Sequence, residues 1–331
     1  MGFWEVLKNL RRIGRQMRFC REDIAAYYPD VLILIDYPGF NLRMAEFVHE
    51  HVWPAGRKRP EVFYYIAPKV WAWKEKRVVR IRKYVDKLFI IFPFEIEYFR
   101  RHGIEAFYAG NPLMDSVAER SSVALEGAEE FRRENGLDDR PIIALVAGSR
   151  GSEIRYNLPY MVAVSRRFPE YQFVVTGVSW LDRALYDRYL QGSDVRFVCD
   201  RTYETMAQSA AALVTSGTAT LETALLRVPE VVCFRSSAIS IWVAKRLVKL
   251  RFISLVNLVM DREVVRELIQ EDFVPERAEV ELRAVLPGGE KHERMVRDFA
   301  ELREAMGEPG ASVRVATEMV RLLNEKRGNT K

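Results

Sequence analysis

Apolar positions along this chain gather into short unbroken runs separated by stretches of helical length. "DVLILID" (Asp30 to Asp36) is a continuous β-branched and leucine run, as for a strand covered on both faces. "VFYYIA", "KLFIIF" and "AFYAG" (Ala106 to Gly110) complete a first series. A second runs through "PIIALVAG", "QFVVTG", "VRFVC", "AALVTSG" and "EVVCF", with helical segments between them. Short apolar strands alternating with helices indicate βαβ units and parallel sheets. The polar stretch from Asp115 to Arg140 reads as a connector plus a surface helix, and Glu281 to Leu323 as mainly helical. The pattern predicts an α/β protein of two Rossmann-like domains with parallel sheets facing a cleft. Residues 1–119 would form the first, 120–310 the second, and 311–331 a helix and tail able to pack back on the first.

One segment departs from this regularity. In "VWAWKEKRVVRIRKYVDKLFIIFP" (Val70 to Pro93), Lys76, Arg80, Lys83 and Lys87 share a helical face, and Val78, Ile81 and Val85 form a stripe on another. This predicts a basic amphipathic helix feeding a buried strand from Leu88 to Phe92. A solvated surface face and an anionic docking face both fit the pattern.

Composition narrows the classes. The 331 residues are 49% apolar and 29% charged, the balance of a globular protein long enough for two domains. The 51 basic residues face 46 acidic ones, which suits local basic patches and anionic ligands better than wrapping by nucleic acid. Cys20, Cys199 and Cys233 form no CxxC pair, and His49, His51, His102 and His292 show no metal-ligand spacing. These features predict a reduced, cytoplasmic protein without a metal. The basic N-terminus lacks the apolar core of a secretory signal. Lys245, Arg246, Lys249 and Arg251 interrupt the most apolar stretch, Ala238 to Met260, so no run of about 18 uncharged apolar residues remains to span a bilayer.

Ligands of open parallel sheets bind beyond the carboxyl ends of the strands. In "VTSGTATLETALL" (Val214 to Leu226), Ser216, Gly217 and Thr218 stand between a strand and a helix, where small residues admit a phosphate to the helix's free N–H groups. Glu222, one turn in, could accept hydrogen bonds from a sugar diol; a helix N-cap with a first-turn acid explains the same residues. "LVAGSRGSE" (Leu145 to Glu153) repeats the logic, with Gly148 and Gly151 for a tight turn and Arg150 for a diphosphate. Neither GxGxxG nor GxxxxGK[ST] occurs, nor does the GxSxG elbow of hydrolases. Asp36, ending its strand before Pro38-Gly39, is placed either as a general base or as a turn aspartate.

Together, "IDYPGFN", "YYIAPKVWAWKEKRV", "FPFE", "AGNPLMD", "AGSRGSEI", "SGTATLE", "AKRLVK" and "ISLVNLVMDREVVRELIQE" resemble, in order, the lipid-A-disaccharide synthase family of inverting GT-B glycosyltransferases. The resemblance implies a hexosyltransferase that joins UDP-2,3-diacylglucosamine to 2,3-diacylglucosamine 1-phosphate and releases UDP, with no cofactor. Asp36 matches the family's proposed base. Arg150, Glu222 and Asn257 match positions tied to donor binding or activity, and Ser216, Gly217, Thr218, Arg262 and Gln270 fall in motifs of the nucleotide pocket. Acylated substrates imply peripheral contact with an anionic membrane at its cytoplasmic face. The contact residues expected are Trp71, Trp73, Lys76 and Arg80, and, on a helix from Ile239 to Leu250, Trp242, Lys245, Arg246 and Lys249. A homodimer is compatible with the reading.

Where the family begins with a strand and an SGExSGD-type loop, Met1-Gly2-Phe3 matches an internal segment, so the first domain is expected to be truncated. Gly39 replaces a second aspartate, and Asn111 a histidine, common in the family. The rival readings are another UDP-sugar GT-B enzyme, of UDP-N-acetylglucosamine epimerase or peptidoglycan glycosyltransferase type, and, more distantly, a non-catalytic nucleic-acid-binding protein.

Overall fold

The computed structural model describes residues 3–71, 76–237, 241 and 251–328. The chain divides into two compact units. One runs to Gly110 and takes in the chain from Ser312 onward; the other is Asn111–Ala311.

In the first unit, α1 (Phe3–Tyr27) precedes β1 (Val31–Ile35), α2 (Pro38–Glu50), β2 (Glu61–Tyr65), α3 (Arg77–Tyr84), β3 (Lys87–Ile90), α4 (Phe94–Arg101) and β4 (Ala106–Tyr108). The strands are parallel and lie in the order β1-β2-β3-β4. Right-handed crossovers in an unreversed order bring the helices to one face. There Leu34, Val62, Tyr64, Leu88 and Ile90 pack with Leu42, Ala45, Val48, Ile81 and Phe99. On the other face Phe63 and Phe89 are covered by Val315 and Met319 of the last helix.

β1 is not covered on both faces: it is an edge strand with Leu34 buried but Ile33 and Ile35 exposed, because the last helix covers the middle of the sheet. The basic helix is also shorter than its charge pattern suggested, and Lys87 belongs to β3. The chain leaves the helix at Val85 because the next residue is anchored to the sheet. Asp86 accepts from the Arg59 guanidinium at 2.7 and 2.8 Å and from the Val62 N–H at 2.7 Å.

The second unit contains α5 (Pro112–Glu126), α6 (Ala128–Glu134), β5 (Ile142–Val146), α7 (Gly151–Ser165), β6 (Gln172–Gly177), α8 (Arg183–Leu190), β7 (Arg196–Cys199), α9 (Thr202–Ala207), β8 (Ser209–Thr215), α10 (Thr218–Leu225) and β9 (Glu230–Phe234). After these come α11 (Leu255–Met260), β10 (Arg266–Ile269), α12 (Pro275–Val285) and α13 (His292–Met306); α14 (Ala311–Gly328) then returns the chain to the first unit. Its six strands are parallel, in the order β10-β9-β8-β5-β6-β7. The order therefore reverses between β8 and β5.

A boundary between residues 119 and 120 would cut α5; the units divide between Gly110 and Asn111 instead. Asn111 starts that helix, its Oδ1 accepting from the Leu113 N–H at 2.9 Å, with Pro112 preset for the first turn. Asp115 then accepts from the N–H groups of Gly310 and Ala311, tying α5 to the far end of its own unit.

Candidate functional site

The reversal between β8 and β5 is where an open parallel sheet offers a crevice beyond its strand ends. After β5, Gly148 adopts φ +112°, and a Cβ there would lie 2.5 Å from the Glu153 carboxylate. Only glycine lets Glu153 fold back under the loop, where it accepts from the N–H groups of Ser149 (2.9 Å) and Arg150 (3.2 Å). The Arg150 guanidinium also donates to Glu153 at 2.6 Å, yet its side chain is largely exposed.

After β8, the N-cap position of α10 is Gly217, and among the described residues no side chain caps that helix. Ser216 does not serve, because its hydroxyl donates to the Ile253 carbonyl at 2.9 Å. Thr220 and Thr223 donate backwards along the helix, to Gly217 and Ala219. The helix-cap explanation for Ser216 and Thr218 therefore fails. What remains is a first turn of N–H groups that meets no side-chain acceptor among the described residues, the arrangement that favours an anion. Glu222 lies one turn behind. Burial pushes its carboxyl above the ordinary value, while a hydrogen bond from Tyr203 and the charge of Arg120 draw it back. The Arg120 guanidinium sits 4.9 Å from the Tyr203 ring centroid.

The other matched residues are arranged differently. Asn257 is fully buried with its amide wholly occupied. It donates to the Val265 carbonyl (2.9 Å) and Glu267 (3.0 Å) and accepts from the N–H groups of Val264 (2.7 Å) and Val265 (3.0 Å). The side chain shapes the turn into β10, with no hydrogen-bonding group left over for a ligand. Gln270 bridges the Ser236 N–H and carbonyl at 3.3 and 3.2 Å, extending the β9–β10 edge. Arg262 pairs with Asp298 (3.1 Å) and Glu301 (2.5 Å) on α13. Strand order thus brings the Gly148–Arg150 and Ser216–Thr218 loops to neighbouring strand ends and keeps Glu222 close behind; Asn257, Gln270 and Arg262 are held by contacts of their own.

In the first unit Asp36 follows β1 with φ +45°, and Tyr37 (φ +40°) and Ile66 (φ +59°), the residue after β2, share the left-handed region. A β-branched residue there is an outlier, and such strain gathers at functional sites. The backbone of Asp36 is pinned from three sides: its N–H donates to Tyr65 (3.1 Å), and its carbonyl accepts from Asn41 (2.6 Å) and the Tyr64 hydroxyl (2.5 Å). Its carboxylate is exposed. Beyond β3, buried Glu95 accepts from the Trp71 indole (2.9 Å) and from the N–H groups of Ile91 (3.2 Å) and Phe92 (3.0 Å). Desolvation lowers the Lys69 pKa, and the charges of Asp36 and Glu95 push it back up. Lys69 and Glu95 fall within "YYIAPKVWAWKEKRV" and "FPFE" without a spacing signal of their own, and Arg120 and Tyr203 carry no sequence signal.

The expected lipid contacts divide. Trp73, Trp242, Lys245, Arg246 and Lys249 lie outside the described residues. Trp71 is half-buried, edge-on to Phe94 at 5.0 Å, and held by Glu95, so it is not poised to insert. Arg80 pairs with Glu46 at 2.7 Å, whereas Lys76 and Val79 are exposed. Among the described residues no helix is long and apolar enough to cross a membrane.

Sheet order and strand-end loops define a GT-B protein. Solved structures agree on that fold: UDP-N-acetylglucosamine 2-epimerase from Rickettsia bellii matches with a TM-score of 0.61 at 15% identity, over 95% of this chain and 80% of its own. The calicheamicin glycosyltransferase CalG4 matches with a TM-score of 0.57 at 14% identity, over 97% and 83%. The model of the lipid-A-disaccharide synthetase family matches residues 1–315, and the chain belongs to that family. It is 39% identical to the lipid-A-disaccharide synthase of Myxococcus xanthus over 98% of this chain and 83% of that protein, and 35% identical to that of Syntrophus aciditrophicus over 98% and 84%. It is accordingly a glycosyltransferase that forms a lipid A disaccharide, which sets aside the epimerase and nucleic-acid readings.

Proposed function

We propose that the chain transfers the diacylglucosamine of UDP-2,3-diacylglucosamine to the 6-hydroxyl of 2,3-diacylglucosamine 1-phosphate. The acceptor oxygen bonds to the donor's anomeric carbon as the bond from that carbon to the diphosphate breaks, so the configuration inverts and UDP leaves with the electron pair. Asp36 takes the hydroxyl proton. Arg150 and the uncapped first turn of α10 stabilise the charge developing on the diphosphate, where fixed donors act most strongly. Glu222 meets the ribose. Asn257 and Gln270 act through the loops they hold, and Lys69 supplies positive charge beside Asp36.

The observation that carries this reading is the start of α10, which has no side-chain cap and stands at the strand end next to Arg150. Both sugars carry acyl chains, and we assign lipid access to the exposed basic surface around Lys76 at the inner face of the cytoplasmic membrane, where each basic residue is worth about 1 kcal/mol. The test is incubation with both diacylated sugars and a search by mass spectrometry for the tetra-acyl disaccharide phosphate. Its absence, with both substrates shown intact, overturns the proposal.

A further inference from the structure

We propose that Trp180 is the platform on which the pyrimidine base of the donor nucleotide stacks, an inference that rests on the donor reading above. Trp180 follows β6 and is 69% exposed, more than any buried role of so large a ring would allow. It is nevertheless fixed. Its indole N–H donates at 3.1 Å to the carbonyl of Ser149, the residue before Arg150. The turn that carries it closes through the Leu181 N–H to the Val178 carbonyl at 3.1 Å. Ser179 is tied to the next strand end, its N–H donating at 3.0 Å to Asp200, whose own N–H donates to the Gly177 carbonyl at 2.9 Å. Gly177 fits closely here, since a Cβ at that position would force the Phe197 ring to shift. The ends of β5, β6 and β7 are thereby laced together, with an oriented indole left facing solvent at the mouth of the sheet.

Position selects the ligand group. The diphosphate is assigned to the gap between β5 and β8, and β6 lies on the other side of β5. At about 4.8 Å per strand, β6 is roughly 7 Å from that gap, which a ribose spans between its phosphate and its base. A flat aromatic face at that remove suits a nucleobase, because every base has a π-face to stack. The same hydrogen bond links the platform to the loop bearing Arg150, so base and diphosphate sites share one support.

The experiment is UDP binding by calorimetry and tryptophan fluorescence for the wild type, Trp180→Ala and Trp180→Phe, each checked for an unchanged thermal midpoint. Trp180→Ala is expected to weaken UDP about 5- to 150-fold, the range of losing one aromatic stack. Trp180→Phe should stay within about 3-fold of wild type while losing the UDP-dependent quench. Unchanged affinity in Trp180→Ala, equal losses in both variants, or a quench that persists in Trp180→Phe each overturn the platform alone. Failure of the wild type to bind UDP overturns the donor reading with it.

Discussion

The second unit reverses its strand order at β8/β5 and makes its candidate site largely from backbone: a glycine turn at Gly148 and helix N–H groups at Thr218. Among the described residues the first unit's strand order does not reverse, and its candidate site is built instead from side-chain pins and left-handed conformations at Asp36, Tyr37 and Ile66. An anion of fixed shape needs a cradle of fixed dipoles, which a helix start supplies for any sequence small enough to admit the ligand. A proton acceptor needs one carboxylate aimed and left accessible, and aiming it takes neighbours. Backbone sites therefore leave a short motif in the sequence, whereas side-chain sites are scattered through it.

If that division holds, the largest effect belongs to Asp36. Asp36→Asn keeps the backbone pins, which use only its N–H and carbonyl, and asparagine tolerates the left-handed region well. We expect kcat to fall roughly 10²- to 10⁴-fold, the usual contribution of a positioned base, with UDP affinity unchanged by calorimetry. Undiminished turnover would remove chemistry from the first unit. In the second unit the matching change is Gly148→Ala, which meets both a positive φ and the body of Glu153. Strain of about 1–3 kcal/mol is expected, seen as weaker UDP binding and lower resistance to urea; a variant with wild-type affinity would show that the loop is not the cradle.

What was legible follows the same line. The fully buried strands β5 and β6 and the buried stretch of β8 from Ala211 to Thr215 stand out as apolar runs, and "AGSR" and "SGT" as loops beyond them, because burial and close approach restrict residue type directly. β10 escaped notice: Arg266–Ile269 is short, carries two charges, and is a strand only by lying along β9. β1 announced more burial than it has, since an apolar edge strand looks like an inner one. Asn257 and Gln270 stood in the right motifs, but whether an amide faces a ligand or a neighbouring turn depends on chain brought close by folding. The left-handed φ of Ile66 has no signature at all.

The strand beginnings extend the comparison. Asp86, before β3, is held below its ordinary pKa: burial would raise it, but the Arg59 guanidinium and the Val62 N–H outweigh that. Glu230, opening β9, is wholly buried, neither carboxylate oxygen has a hydrogen-bond partner among the described residues, and burial pushes its pKa well up. The signs oppose each other. Asp86 contributes stability above its unfolded pKa that is lost as pH falls through the folded value. Glu230 contributes nothing below its unfolded pKa of about 4.3; above it the unfolded state gives up a proton that the folded state keeps, so stability declines. The decline is at most about 1.4 kcal/mol per pH unit. Glu230→Gln should therefore gain on the wild type in thermal melts as pH rises from about 5 to 8. Parallel curves would mean that the Glu230 carboxyl ionises in the folded state as it does in the unfolded one, and burial does not raise its pKa.

The smallest effect separates charges already answered within the first unit from charges facing outward. Arg80 and Lys76 lie on the same basic stretch, but the Arg80 guanidinium pairs with Glu46 and donates to the Leu42 carbonyl at 3.3 Å. Removing that pair together, as Arg80→Gln with Glu46→Gln, leaves net charge unchanged and should leave sedimentation with anionic liposomes unchanged. Lys76→Gln removes an exposed charge, and at about 1 kcal/mol per basic residue it should weaken sedimentation about 5-fold at low salt. Because the attraction acts through solvent, the difference should fade as salt shortens the screening length. Equal losses from the two changes would mean that the whole helix, rather than its outward charges, meets the lipid. No lipid-dependent sedimentation by the wild type would remove the first unit's surface from the proposed mechanism and leave the proposed base, Asp36, as its only assigned part.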